Sequence, residues 1–219
     1  MTTDSIQRSY DTVASDYAAE YRDELAKKPF DRKMLDWLAE KAGERGLLCD
    51  MGCGPGQIAG YLHGRGMRVC GVDVSPGMVR EARRLHPDIP FAEGDMRALT
   101  DIASASYGGI AAFYSLIHVP RNDMPSVLRE LQRVLVPEGV LLAAFHLGRE
   151  TIHRDEWWGK DVSIDFTFFE REEMKGWLTG AGFRLEESIE RDPYPDGEYP
   201  SRRAYLFARK PRVIEVDCR

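Results

Sequence analysis

Cysteine is scarce in this chain, and its basic residues never gather into a run. Four cysteines, Cys49, Cys53, Cys70 and Cys218, are spread through 219 residues without a zinc-type spacing. They read as reduced structural thiols in a cytoplasmic protein, and neither a disulfide scaffold nor a metal site is expected. The charge balance is negative, −6, and the 30 Lys and Arg residues form no basic face. Binding to nucleic acid is therefore disfavoured, because phosphate neutralisation supplies most of that affinity. No apolar run approaches the ~20 residues needed to span a bilayer, and the polar start, Met1 to Ser5, predicts no signal peptide or membrane anchor. Internal repeats and low-complexity segments are also absent. One ordinary domain, long enough for a full core, remains.

The most informative stretch runs from Leu47 to Asp73. Leu47 to Met51 reads as a short buried strand, Gly52-Cys53-Gly54-Pro55-Gly56 as a glycine-rich turn, and Gln57 onward as a helix. Arg68 to Val72 forms a second apolar strand that ends on Asp73. Strand, turn, helix, strand and terminal acid make a mononucleotide-binding βαβ unit. Glycines let the backbone turn sharply and a ligand lie against it. Asp73, about 20 residues beyond the first glycine, is placed to accept both hydroxyls of a ribose. A dinucleotide fingerprint requires G-x-G-x-x-G, and here the third glycine comes one residue early. Asp50, just before the turn, is expected to point its carboxylate into the pocket, repelling phosphate and suiting a cationic amine or sulfonium.

The segment Leu48-Cys49-Asp50-Met51-Gly52-Cys53-Gly54-Pro55-Gly56 resembles motif I of the class I S-adenosylmethionine-dependent methyltransferases. Asp73 resembles that family's ribose-binding acid, and Gly94-Asp95-Met96, after a third strand at Ile89–Ala92, resembles its adenine-contacting motif. Tyr10-Asp11-x-x-Ala14-x-x-Tyr17 looks like the cap helix of the small-molecule members, and Tyr114 to Pro120 like the segment after the fourth strand. Leu131-x-Arg133-Val134-Leu135-x-Pro137-x-Gly139 and Ala181-Gly182-Phe183 extend the resemblance along most of the chain.

The resemblance implies a Rossmann-like, doubly wound α/β sheet of seven strands, the last antiparallel, under an N-terminal helical cap. The single domain, 1–210, divides into the cap (1–44), a cofactor-binding core (45–146) and a substrate-side insertion, helix and terminal hairpin (147–210), with a tail at 211–219. S-adenosyl-L-methionine is the implied cofactor and S-adenosyl-L-homocysteine the product. The implied cofactor set is Tyr17, Asp50, Gly52, Cys53, Gly54, Asp73, Val74, Met78, Asp95, Met96 and Tyr114.

Substrate-side residues are expected from three places. Tyr10 and Tyr21 share a helical stripe with Val13 and Tyr17. Residues 147–166 read as a long polar loop carrying Trp157 and Trp158, and such loops are often functional. The connection before the last strand brings Tyr199, Arg202 and Arg203, whose guanidinium forks match a carboxylate. His118 and His146 are the candidate general bases, since imidazole takes a proton near neutral pH; packing against the following helix is the competing role for His118. Methyl transfer to an O, N or C nucleophile of a small metabolite, such as a natural-product intermediate or a carboxylic acid, is the expected activity. A non-catalytic cofactor-binding protein and a peptide or protein methyltransferase are the alternatives. The acceptor is a small molecule rather than nucleic acid or membrane, and the sequence leaves monomer and dimer open.

Overall fold

The computed structural model describes residues 2–195 and 198–212. Cys218, most of the 211–219 tail, and Asp196 and Gly197 of the last connection lie outside the described residues. Seven strands form one sheet in the order β3-β2-β1-β4-β5-β9-β8. They are β1 (Leu48–Met51), β2 (Val69–Asp73), β3 (Phe91–Glu93), β4 (Tyr107–Phe113), β5 (Leu135–His146), β8 (Arg184–Arg191) and β9 (Arg203–Arg209). Neighbours from β3 to β5 are parallel, whereas β9 runs antiparallel between β5 and β8. The terminal antiparallel pair expected from the sequence is present.

Side chains alternate across the sheet with period 2, and both faces are covered. On β5, Val140, Leu142 and Ala144 pack under helices α2 (Pro29–Ala42), α3 (Gln57–Gly64) and α4 (Pro76–Leu85). Leu141, Ala143 and Phe145 face α5 (Met124–Val134) and α6 (Arg171–Gly180) instead. Ser75 caps α4, accepting from the Met78 N–H at 3.1 Å, with Pro76 opening the helix. Asp123, just before α5, makes no side-chain cap bond. Its backbone is itself helical, and a capping side chain needs an extended one.

Helix α1 (Thr3–Tyr21) has Thr2 as its cap, the side chain accepting from the Ser5 N–H. A correction concerns residues 147–166. They are no structureless loop: β6 (Thr151–Trp157) and β7 (Lys160–Thr167) form a hairpin, a second sheet of two strands. Trp158 and Gly159 make its two-residue turn, both with positive φ (53° and 74°), as a right-twisted hairpin requires. Val162 and Ile164 bury against Val13 of α1. Among the described residues, no helix is long and apolar enough to cross a membrane.

Candidate functional site

Strand order reverses between β1 and β4, and a cavity of about 310 Å³ opens at the carboxyl ends of these strands. Its floor is the glycine-rich turn. Gly52 has φ +73°, and a Cβ there would stand 2.4 Å from the Ser115 Cβ, so no other residue fits without displacement. Gly54, at φ +52°, lies under Gln57 and Tyr17, each 4.0 Å from where a Cβ would stand, and donates its N–H to Asp73 Oδ2 at 2.8 Å. The other Asp73 oxygen accepts from the Ser75 N–H at 2.9 Å. Asp73 thus fixes the turn and the start of α4 together while remaining on the cavity wall. Burial pushes its carboxyl up to about 6 against the pull of these two bonds.

Asp50 departs from expectation. It does not line the cavity; its carboxylate is buried beneath it, accepting from the Ala59 N–H at 3.0 Å. Desolvation raises it to about 8, and the nearby Asp73 charge adds to the rise. Asp50 therefore ties β1 to α3 beneath the site. Asp95 does line the cavity, its Oδ1 accepting from the Arg97 N–H at 2.9 Å and its Oδ2 from Thr3 Oγ1 at 2.7 Å. Cys53, Val74, Met78 and Met96 line the same end.

Helix α1 and the hairpin roof the other end. Tyr10, Tyr17, Tyr21 and Trp157 form a chain of edge-on and tilted rings, with Tyr17 4.4 Å from Tyr21 and 5.6 Å from Trp157 between centroids. Two contacts that the sequence did not reveal hold the roof. Asp11 Oδ1 accepts from Ser75 Oγ and from the Gly77 N–H, both at 2.6 Å, placing its charge at the N-terminus of α4. Ser9 Oγ donates to the Ser163 carbonyl at 3.0 Å and accepts its N–H at 2.9 Å. Trp158 stays outside the cavity, stacked on Trp157 at 5.0 Å and 41% exposed, because the turn carries it past the rim.

Both histidines reach the wall. The His118 Nδ1 lies 2.9 Å from the Asp165 carbonyl, which can only accept, so Nδ1 carries the proton. Its Nε2 then accepts from the Tyr10 hydroxyl at 2.7 Å. Burial lowers the imidazole to about 4. His146 pairs its Nδ1 with Ser201 Oγ at 2.7 Å and stacks on Phe168. Burial, then the Arg203 charge, bring it down to about 3.

The third wall rests on a buried polar network. Tyr114, in left-handed backbone at φ +55°, donates to the Tyr205 hydroxyl at 2.8 Å, and Tyr205 donates to Asp31. Arg191 reaches Asp31 at 3.0 Å and grips Glu198 through two bonds of 2.7 and 2.9 Å. Arg203 lines the cavity, 2% exposed, its Nε 3.4 Å from Glu198. Arg202 does not line it; its largely exposed side chain pairs with Glu190 and Asp192. Tyr199 stands at the rim, half exposed. Lys28, Glu24, Glu198 and Arg154 also line the cavity, and the sequence reading named none of them.

Residues 48–139 match the family described as "Methyltransferase domain". A putative methyltransferase, YqeM, of Bacillus subtilis is 29% identical over 134 residues, covering 59% of this chain and 54% of that protein. The demethylmenaquinone methyltransferase of Beutenbergia cavernae is 34% identical over 143 residues, covering 64% and 55%. Residues 48–139 thus resemble a methyltransferase domain, and these two curated relatives are named as methyltransferases. A TehB-like methyltransferase from Corynebacterium glutamicum shares the fold at a TM-score of 0.66 and 21% identity, over 90% of this chain and 97% of the other. The chain spans about half the length of the curated relatives it matches.

S-adenosylmethionine is the cofactor that this resemblance implies, and the residues of the site fit it. The Gly54 backbone would take close approach, and Asp73 would accept ribose hydroxyls. Asp95 would accept an exocyclic amine, with Met78 and Met96 supplying apolar contact. Asp73, on the wall and ionised above about pH 6, favours a ligand bearing positive charge.

Proposed function

We propose that this chain moves the methyl group of S-adenosylmethionine to a small acceptor enclosed in the roofed cavity, at an atom that needs no protein base. The observation that carries this reading is the enclosure itself. The Asp73 turn and an aromatic roof face one another across a cavity of about 310 Å³, a size that suits a small molecule. When bound, S-adenosylmethionine supplies a methyl group already activated on a sulfonium. The protein's part is to position the acceptor in line and exclude water, which the tyrosines, Trp157 and the Asp11 latch serve.

Neither histidine is suited to proton removal. The two nitrogens of His118 are occupied, and protonating His146 would set an imidazolium beside Arg203. With pKa values near 4 and 3, both are neutral and weakly basic at physiological pH. An acceptor ionised at neutral pH, such as a carboxylate or an acidic enol, dispenses with a base. His118→Asn and His146→Gln are accordingly expected to leave the dependence of kcat on pH flat between about pH 6 and 9. A loss of ~100-fold in kcat at constant KM, the scale of general-base catalysis, would overturn that expectation.

The cofactor half of the reading is tested by calorimetric titration of the whole chain with S-adenosylmethionine, S-adenosylhomocysteine and NAD. Micromolar binding of the two sulfur compounds and no heat from NAD are expected. Silence from both sulfur compounds would sink it. Methyl transfer from labelled cofactor into pooled small acids then tests the acceptor half.

A further inference from the structure

We propose that Arg154 is the anchor for a carboxylate on the methyl acceptor, which makes that acceptor an apolar or aromatic acid. The inference rests on the reading of the cavity as a methyl-transfer site and specifies what enters it. Four cationic side chains line the cavity: Lys28, Arg97, Arg154 and Arg203. Three are neutralised within the protein. Lys28 pairs with Glu24 at 2.6 Å, Arg97 with Asp95 at 3.2 Å, and Arg203 with Glu198 at 3.4 Å. Arg154 has no carboxylate partner among the described residues; its guanidinium lies instead over the rings of Trp157, at 4.9 Å, and Phe166, at 5.9 Å.

An arginine lying on aromatic faces has its orientation fixed while its N–H edge stays free to donate. Its charge is felt inside the roof: it pulls down the phenols of both Tyr10 and Tyr21, against the stronger effect of burial. The guanidinium therefore addresses the space between α1 and the hairpin, where the walls are otherwise rings. A ligand that satisfies this corner needs an apolar body to lie against Tyr10, Tyr21 and Trp157, and an anionic end for the fork. Carboxylate has the matching planar geometry. In a chain with net charge −6, an anion also needs a local cation to enter.

A simple packing role for Arg154 would not discriminate charge, and the test uses that difference. trans-Cinnamate and cinnamamide, alike in shape and differing in charge, are titrated calorimetrically into the whole chain saturated with S-adenosylhomocysteine. The acid is expected to bind about tenfold more tightly than the amide, with a preference that weakens as salt is raised. Arg154→Gln should erase the preference. Arg154→Lys should keep part of it, because a point charge remains without the fork or the stacking. The proposal is overturned if acid and amide bind equally, if neither binds at millimolar concentration, or if the preference survives in Arg154→Gln. Binding of S-adenosylhomocysteine, measured first on each protein, reports separately on the cofactor reading.

Discussion

Asp73→Asn is expected to bind S-adenosylhomocysteine about 100-fold more weakly than the unaltered chain. The carboxylate accepts two backbone N–H groups, from Gly54 and Ser75, with opposite oxygens. An asparagine can accept with only one atom and turns an N–H donor against the other amide, so the turn loses half its clamp. The same oxygens would take ribose hydroxyls, and a charge-assisted hydrogen bond is worth roughly 1.5–3 kcal/mol. Losing the equivalent of two gives ~3 kcal/mol, hence two orders of magnitude. Intact circular dichroism with affinity within threefold of the unaltered chain would remove Asp73 from the site.

The pH dependence follows with a definite sign. Asp73 titrates at about 6, and only its ionised form accepts fully. Affinity should therefore be flat above about pH 6 and fall about tenfold per pH unit below it, a limb that Asp73→Asn lacks. Apo stability moves the other way. The folded pKa values of Asp73 and Asp50 are raised from 3.8 to about 6 and about 8, so the folded state binds the extra protons. Their contribution is fully present below about pH 4 and is lost as pH rises through about 6 and then 8. Thermal unfolding of the apo chain across that window checks the direction.

How much of this was legible in the sequence depends on the range of the interactions. The glycine-rich turn and Asp73 are local, and each stands where the spacing predicts. Side-chain direction was legible only with the strand periodicity followed to its end. Cys49 and Met51 pack toward α5, so Asp50 between them must face α3 and cannot enter the cavity. Likewise Arg203 continues the face of Tyr205 and Phe207, whereas Arg202 precedes the strand and turns outward. The hairpin had a signal, the alternation Val162-x-Ile164-x-Phe166 after a Trp-Gly turn, which the surrounding charges obscured. The Asp11 bonds to the start of α4 and the places of Lys28 and Arg154 on the cavity wall had none. They arise where elements distant in the chain meet, and no local pattern encodes such contacts.

Long-range burial also governs the other large effect, on stability. Arg191→Met is expected to destabilise the fold by about 3–5 kcal/mol, the cost of breaking a buried ion pair from one side. Arg191 is held between Asp31, which is wholly buried, and Glu198, whose side chain is 4% exposed. Burial alone would raise Glu198, yet the Arg191 fork holds it down at about 2. Without the guanidinium, two buried carboxylates remain with Tyr205, Lys28, Arg203 and the Tyr194 N–H near them. Asp31→Asn should return part of the loss in that background, because it removes one orphaned charge and keeps an acceptor for Tyr205. Denaturant unfolding of the four proteins of this cycle measures the coupling. Strict additivity would mean that Arg191 and Asp31 do not interact. The same lesion reaches the site: Tyr114 is held in left-handed backbone through its bond to Tyr205, which Arg191 also donates to at 2.9 Å. Loosening that chain should therefore raise KM for the acceptor as well as lower stability, whereas an Arg202→Met control on the exposed side should do neither.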